Sequence, residues 1–232
     1  MSVNDLVLVQ GWRDTRLALE RWNRAPWGTL GPWLALSLAI TFVLLVAVYA
    51  VAKVSTPDPS PLLLPGYSYK AGLGDYLSVL ERNSLVLALH ALACVAGFMA
   101  GSSLPLSASK RTGLSRWVHE KAGPLAIAFV TGATLFSLST QAYVIGTGAS
   151  TVAKQLGLSP GALILALTPH AVPELVALFL PLAAWLIASR CDAWEELLAA
   201  TFVTVAIAVP TLLASAAIEL WLSPEVLRAL AG

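Results

Sequence analysis

Between Gly161 and Ser189 the chain runs for 29 residues with one carboxylate, Glu174, and no Lys or Arg. A run this apolar and this long belongs inside a bilayer, where roughly 20 such residues suffice to cross. Four more runs meet that standard: 32–52, 84–104, 122–148 and 197–222, with the first counted from Gly161 standing fourth at 161–189. Composition agrees. Only 12% of the 232 residues are charged and 57% are hydrophobic, whereas soluble domains carry about 25% charged residues. The expected fold is an all-α polytopic integral membrane protein with about five transmembrane helices. Residues 1–30 form an N-terminal segment, and 31–232 form one transmembrane domain.

The fourth run is too long for one straight span at about 1.5 Å per residue. Pro169, Pro173 and Pro181 interrupt it, so a kinked or broken helix is predicted. Thr168 is placed to cap a helix that starts at Pro169. A helix end inside the membrane offers free amides and a positive dipole end, as in the discontinuous helices of many transporters.

The first 30 residues carry charges throughout and have no cleavage site after a short apolar core, so no signal peptide is read there. Leu8, Trp12, Leu19 and Trp22 fall on one loose helical face with arginines between, which predicts an interfacial helix. Loop charges set the orientation. A cytoplasmic N-terminus places nine Lys and Arg inside and five outside. The expected topology is therefore multi-pass in the cell membrane, N-terminus cytoplasmic and C-terminus outside. The loop that opens "STPDPSPLLLPGYSY" is read as extended at its start, with Tyr76–Arg82 beginning the second helix.

Ionisable groups inside spans are costly and mark either function or pairing. Four occur: His90, His170, Glu174 and Glu219. In the predicted orientation His90 lies about 10 Å below the outer boundary, His170 about 14 Å, Glu174 about 20 Å and Glu219 about 5 Å. Gln141 on the third helix is about 10 Å deep. The five predict one buried polar cluster in the outer half. A plainer reading stands beside it. His170 and Glu174 are four apart and so share a helical face, where each lowers the other's cost. Gln141 also suits an interhelical hydrogen bond. "GFMAG" puts Gly97 and Gly101 at the spacing that lets a neighbouring backbone approach, read as internal packing before dimerisation.

No catalytic constellation appears. "HAVPE" is not a His-Glu-x-x-His zinc motif, and a zinc site from His90, His170 and Glu174 has no spacing to recommend it. Cys94 and Cys191 read as free thiols. Neither a cofactor nor a metal nor nucleic acid is expected, and the chain is read as non-enzymatic. An intramembrane hydrolase would need a nucleophile beside His170.

The segment "PHAVPELVALFLPLAAWL" resembles the Pro-His-Gly-x-x-Glu-Leu-x-Ala stretch of the stage II sporulation protein M family, with Pro169, His170, Glu174, Leu175 and Ala177 in matching places. "LERNSLVLALHALACVAGFMAG" is similar to its Asn-rich helix entry through Asn83, Gly97 and Gly101, and "AAIELWLSP" to its close through Ile218, Glu219 and Pro224. Gln141 and Ala142 stand where that family has Asn and Gly, and Ala171 where it has Gly. The resemblance implies a membrane scaffold that organises a complex, as the founding member does with peptidoglycan-degrading enzymes. The expected partners are the lipid bilayer and other membrane or envelope proteins, with a homo-oligomer as a further option. The alternative is a transporter or permease subunit. It would use the polar cluster as an outer-half cavity and would be driven by an ion gradient or by a separate ATPase docking near residues 106–121.

Overall fold

The computed structural model describes residues 7–60, 62–103 and 113–231. They form seven α-helices: α1 (Val7–Arg24), α2 (Pro26–Val54), α3 (Leu73–Phe98), α4 (Gly113–Gln155), α5 (Pro160–Arg190), α6 (Leu197–Ala217) and α7 (Ser223–Ala231). A π-turn, Met99–Ser103, extends α3, and a second, Ile218–Leu222, joins α6 to α7. Among the described residues there is no strand, only an isolated bridge between Pro65 and Tyr69. Five helical stretches are long and apolar enough to cross a membrane. The chain is thus an all-α, multi-pass membrane protein. Residues 106–112, part of the expected ATPase-docking stretch, lie outside the described residues, as do the side chains of 114–121 and of Leu8.

Of the two alternatives predicted for the fourth span, kinked or broken, the break is not found. α5 runs without interruption from Pro160 to Arg190 through all three internal prolines. Its N-cap is Ser159, whose hydroxyl accepts the Ala162 amide at 3.2 Å, with Pro160 as the first helical residue. Thr168 is no cap. Its hydroxyl donates to the Leu165 carbonyl at 2.7 Å, and that carbonyl is the one left without its amide by Pro169. A side chain thus repairs the backbone bond that proline removes, as Ser and Thr do in membrane helices. Further along, the Leu178 and Pro181 carbonyls accept His90 Nδ1–H at 2.9 Å and Cys94 Sγ–H at 3.1 Å. These donors come from α3 and brace α5 around Pro181.

The helices are not equivalent. In the best spanning window of α5, 61% of residues are buried; in that of α4 only 6% are. α5 is therefore the helix the others pack against. α4 presents Phe129, Phe136, Tyr143 and Val144 outward.

The described residues divide into two compact units. The first draws on Met1–Ser37, Leu87–Thr134 and Leu178–Ile207. Its core sets Trp33 against Leu180, Ala184 and Ala200. Trp22 of α1 meets Trp33 edge-on at 5.2 Å, and Arg21 pairs with Glu196 at 2.8 Å. α1 is a helix as expected, but its faces differ from the sequence reading. Gly11, Ala18 and Trp22 turn inward, Leu19 is half-buried, and Trp12 is 76% exposed. Small residues won the inner face because they let the helix lie close. In the same unit Gly97 leaves room for the Trp185 indole and Leu197, and Gly101 for Trp194. The two glycines thus seat indoles of their own chain.

The second unit draws on Leu38–Val86, Leu135–Ala177 and Ala208–Gly232. Two small cores hold it. One joins Ala71 and Val79 to Ala216 and Leu220; the other joins Ala153, Leu163, Ala166 and Leu227. Alanines recur in both because lipid tails match leucine in polarity, which leaves close packing to drive helix association.

Gly101 and Gly148 make an internal contrast. A Cβ at Gly101 would strike Trp194, whereas nothing lies within 4 Å of one at Gly148. Gly101→Ala is expected to lower stability by about 1–3 kcal/mol through overpacking. Gly148→Ala is expected to raise it by up to about 1 kcal/mol through helix propensity. Thermal unfolding of both variants in detergent checks the opposite signs.

Candidate functional site

The second unit holds a cavity of about 430 Å³, within the range of small-molecule sites. Its walls are mostly apolar: Ile145, Ala149 and Val152 from α4, Leu163 and Leu167 from α5, Leu220 and Leu227 from the C-terminal turns. Six polar side chains open onto it: Asp75, Ser78 and Arg82 from α3, His170 from α5, and Glu219 and Ser223 from the π-turn and α7.

Each reaches the cavity for a local reason. α3 begins at Leu73, three turns before the apolar run, because Asp75 Oδ2 accepts the Gly72 amide at 2.8 Å. This is the reaching-back half of a capping box. The early start turns Arg82 from a loop charge into a helical one, its Nε donating to Ser78 O at 3.3 Å. His170 is 7% exposed, and its Nδ1 lies 2.7 Å from Ser223 Oγ. Glu219 sits inside the π-turn, a local widening found often at functional sites. Trp221 of the same turn stacks on Tyr76 at 5.6 Å, and Tyr76 OH donates to Leu213 O at 3.0 Å.

Glu174, four residues after His170, lies within electrostatic reach of Glu219 and Arg82 and beside the Asn83 side chain. Arg82 also acts on Glu219. Both carboxylates thus feel the same guanidinium. Glu174 Oε2 and Asn83 Nδ2 are buried without a hydrogen-bond partner among the described residues.

The loop between α2 and α3 roofs the cavity with Leu63, Leu64, Pro65 and Tyr67. Its described start has no regular secondary structure and is tied down by side chains. Ser150 donates to Ser55 O at 3.0 Å, Thr151 accepts the Asp58 amide at 3.0 Å, and Gln155 Nε2 donates to Ser60 O at 2.9 Å. Side chains do this work because Pro57, Pro59 and Pro65 bring no amides. The Ser60 amide on its carboxylate holds Asp58 below the usual carboxylate range. Gly66, at φ 78°, lies directly on the Leu220 carbonyl and Pro224. Arg228 donates to Gly66 O, and its guanidinium lies 5.6 Å from the Tyr67 ring centroid.

Of the five residues expected to cluster, three come together. His170 and Glu219 line the cavity, and Glu174 adjoins Glu219. His90 belongs to the first unit, is fully buried, and lies against Phe179 at 5.5 Å. Since a carbonyl only accepts, its Nδ1 carries the proton in the bond to Leu178. Gln141 bonds Ser137 one turn back on its own helix, at 3.0 Å. Pro169 and Pro173 mark no helix break. Arg82, Asn83 and Ser223 complete the site; the Gly72–Asp75 spacing was the signal for the first two. Ser223 is 53 residues from its partner and gave no local signal. Among the described residues no three His, Cys, Asp or Glu side chains converge on a metal position.

No protein-family model, no curated protein and no solved structure matches the chain.

Gly66→Ala would place a methyl on the Leu220 carbonyl in a left-handed conformation, which costs about 1–3 kcal/mol before any clash. The loop is expected to lift. Trypsin should then cut at Lys70 at least about tenfold faster than in the parent chain, the change that 1.4 kcal/mol of local opening produces. Lys70 is already exposed, so a rise in rate reports backbone release.

Proposed function

We propose that this chain is a membrane transport component, a permease-type subunit that takes a small ligand into the cavity of its second unit. The observation that carries the reading is the convergence of Arg82, His170 and Glu219 on a mostly apolar cavity of about 430 Å³. A purely structural cluster would close on itself; this one faces open space. The second carboxylate, Glu174, gives the site more negative groups than its single guanidinium balances, which suits a proton or cation as coupling ion. Energy would come from an ion gradient or a separate ATPase. The orientation that goes with this reading is N-terminus cytoplasmic and C-terminus outside.

A second reading is a non-enzymatic scaffold of the stage II sporulation protein M type. It is favoured by the gathering of Asn83, His170, Glu174 and Glu219, from three separate motif segments, in one unit. In that role the charges would hold helices together for partner proteins.

Glu174→Gln separates the two. The transport reading expects a folded variant with unchanged melting temperature whose proton or cation flux in proteoliposomes falls about tenfold or more, the equivalent of one lost charge contact. A variant that only melts earlier, beside a parent chain that moves no ions, would favour the scaffold.

A further inference from the structure

The cavity's charges are not of one kind. Glu219 and Arg82 both line it and act on each other electrostatically. Glu174 adds a second carboxylate that feels both. A guanidinium is the side chain best shaped for an oxyanion such as phosphate or carboxylate. A carboxylate shared by too little positive charge favours an ammonium. Away from these groups, and apart from Asp75, Ser78, His170 and Ser223, the walls are aliphatic, with Leu163, Leu167 and Leu227 among them, and they suit the apolar part of a ligand.

Resting on the transport reading, we propose that the cavity's ligand is a zwitterionic amphiphile. Its anionic group pairs with Arg82, its ammonium pairs with Glu219, and its apolar part lies along Leu163, Leu167 and Leu227. A primary-amine phospholipid has this chemistry. A free amino acid has the head without the tail. Each charge pair requires the other. Arg82 drawn to a ligand anion leaves the carboxylates less balanced, and the ammonium restores the balance. The site is thereby selective for a ligand carrying both signs.

The test is thermal stabilisation of the chain in detergent by short-chain phosphatidylethanolamine, phosphatidylglycerol, an alkylamine of equal tail length, and glycine. The parent chain should be stabilised most by phosphatidylethanolamine. Arg82→Gln should weaken that lipid's apparent affinity about tenfold or more without weakening the alkylamine's; Glu219→Gln should weaken phosphatidylethanolamine equally without weakening phosphatidylglycerol's. Glycine matching the lipid would uphold the zwitterion and assign the source to a free solute. Preference for phosphatidylglycerol or the alkylamine over phosphatidylethanolamine would overturn the zwitterion while the cavity stands as a binding site. Stabilisation by none of the four would overturn both. Ala149→Leu fills the cavity without touching a charge and covers the case in which the charge variants fail to fold. If it keeps the lipid effect, the lipid binds elsewhere and the proposal falls.

Discussion

Hydrocarbon offers no hydrogen bonds, so every backbone amide and carbonyl that crosses it must find a partner within the protein. The whole structure follows from meeting that demand on a chain rich in proline. Helices are the only local solution, and α5 is the severest case, with three prolines inside it. Each removes one amide and frees one carbonyl. Thr168 answers Pro169 from within the helix, while His90 and Cys94 supply donors next to Pro181 from α3. His90, an ionisable group in a span, serves here as a hydrogen-bond donor that braces α5.

Because α5 stays continuous, it can carry His170 and Glu174 on one face at fixed spacing. The second unit is built around that face. The π-turn brings Glu219 and Ser223 to it, the early start of α3 brings Arg82 and Asn83, and a proline-rich loop fastened by Thr151, Gln155 and Arg228 covers it. Packing alone would have filled this space with alanine and leucine, as in the unit's two cores. Space bounded instead by a guanidinium, a carboxylate and an imidazole is the feature that turns a bundle into a candidate binding protein.

The five spans were legible because hydropathy is a local, additive property. The fourth span agrees to within one residue at both ends, whereas α2, α3 and α4 start 6, 11 and 9 residues before the predicted 32, 84 and 122, and α4 continues to Gln155, beyond the predicted 148. The site was legible only in part. The four-residue spacing of His170 and Glu174 correctly put them on one face. Predicted depth grouped His90 and Gln141 with them, but depth does not report which partners a side chain takes: His90 bonds Leu178 O, and Gln141 bonds Ser137 on its own helix. Proline's effect on the backbone alone predicts a break; the Thr168 hydroxyl, which takes the carbonyl freed by Pro169, is a donor that the backbone pattern does not count. Ser223 and the loop roof depend on contacts 53 to 162 residues apart, which no local pattern encodes.

The most direct measurement is an experimental structure of the chain in lipid nanodiscs that contain phosphatidylethanolamine. The account predicts an open cavity beneath residues 63–67 with non-protein density bridging Arg82 and Glu219. A cavity closed by its own side chains, with Arg82 neutralised by Glu174 and Glu219 and no guest between them, would contradict it and leave the cluster as the glue of a scaffold.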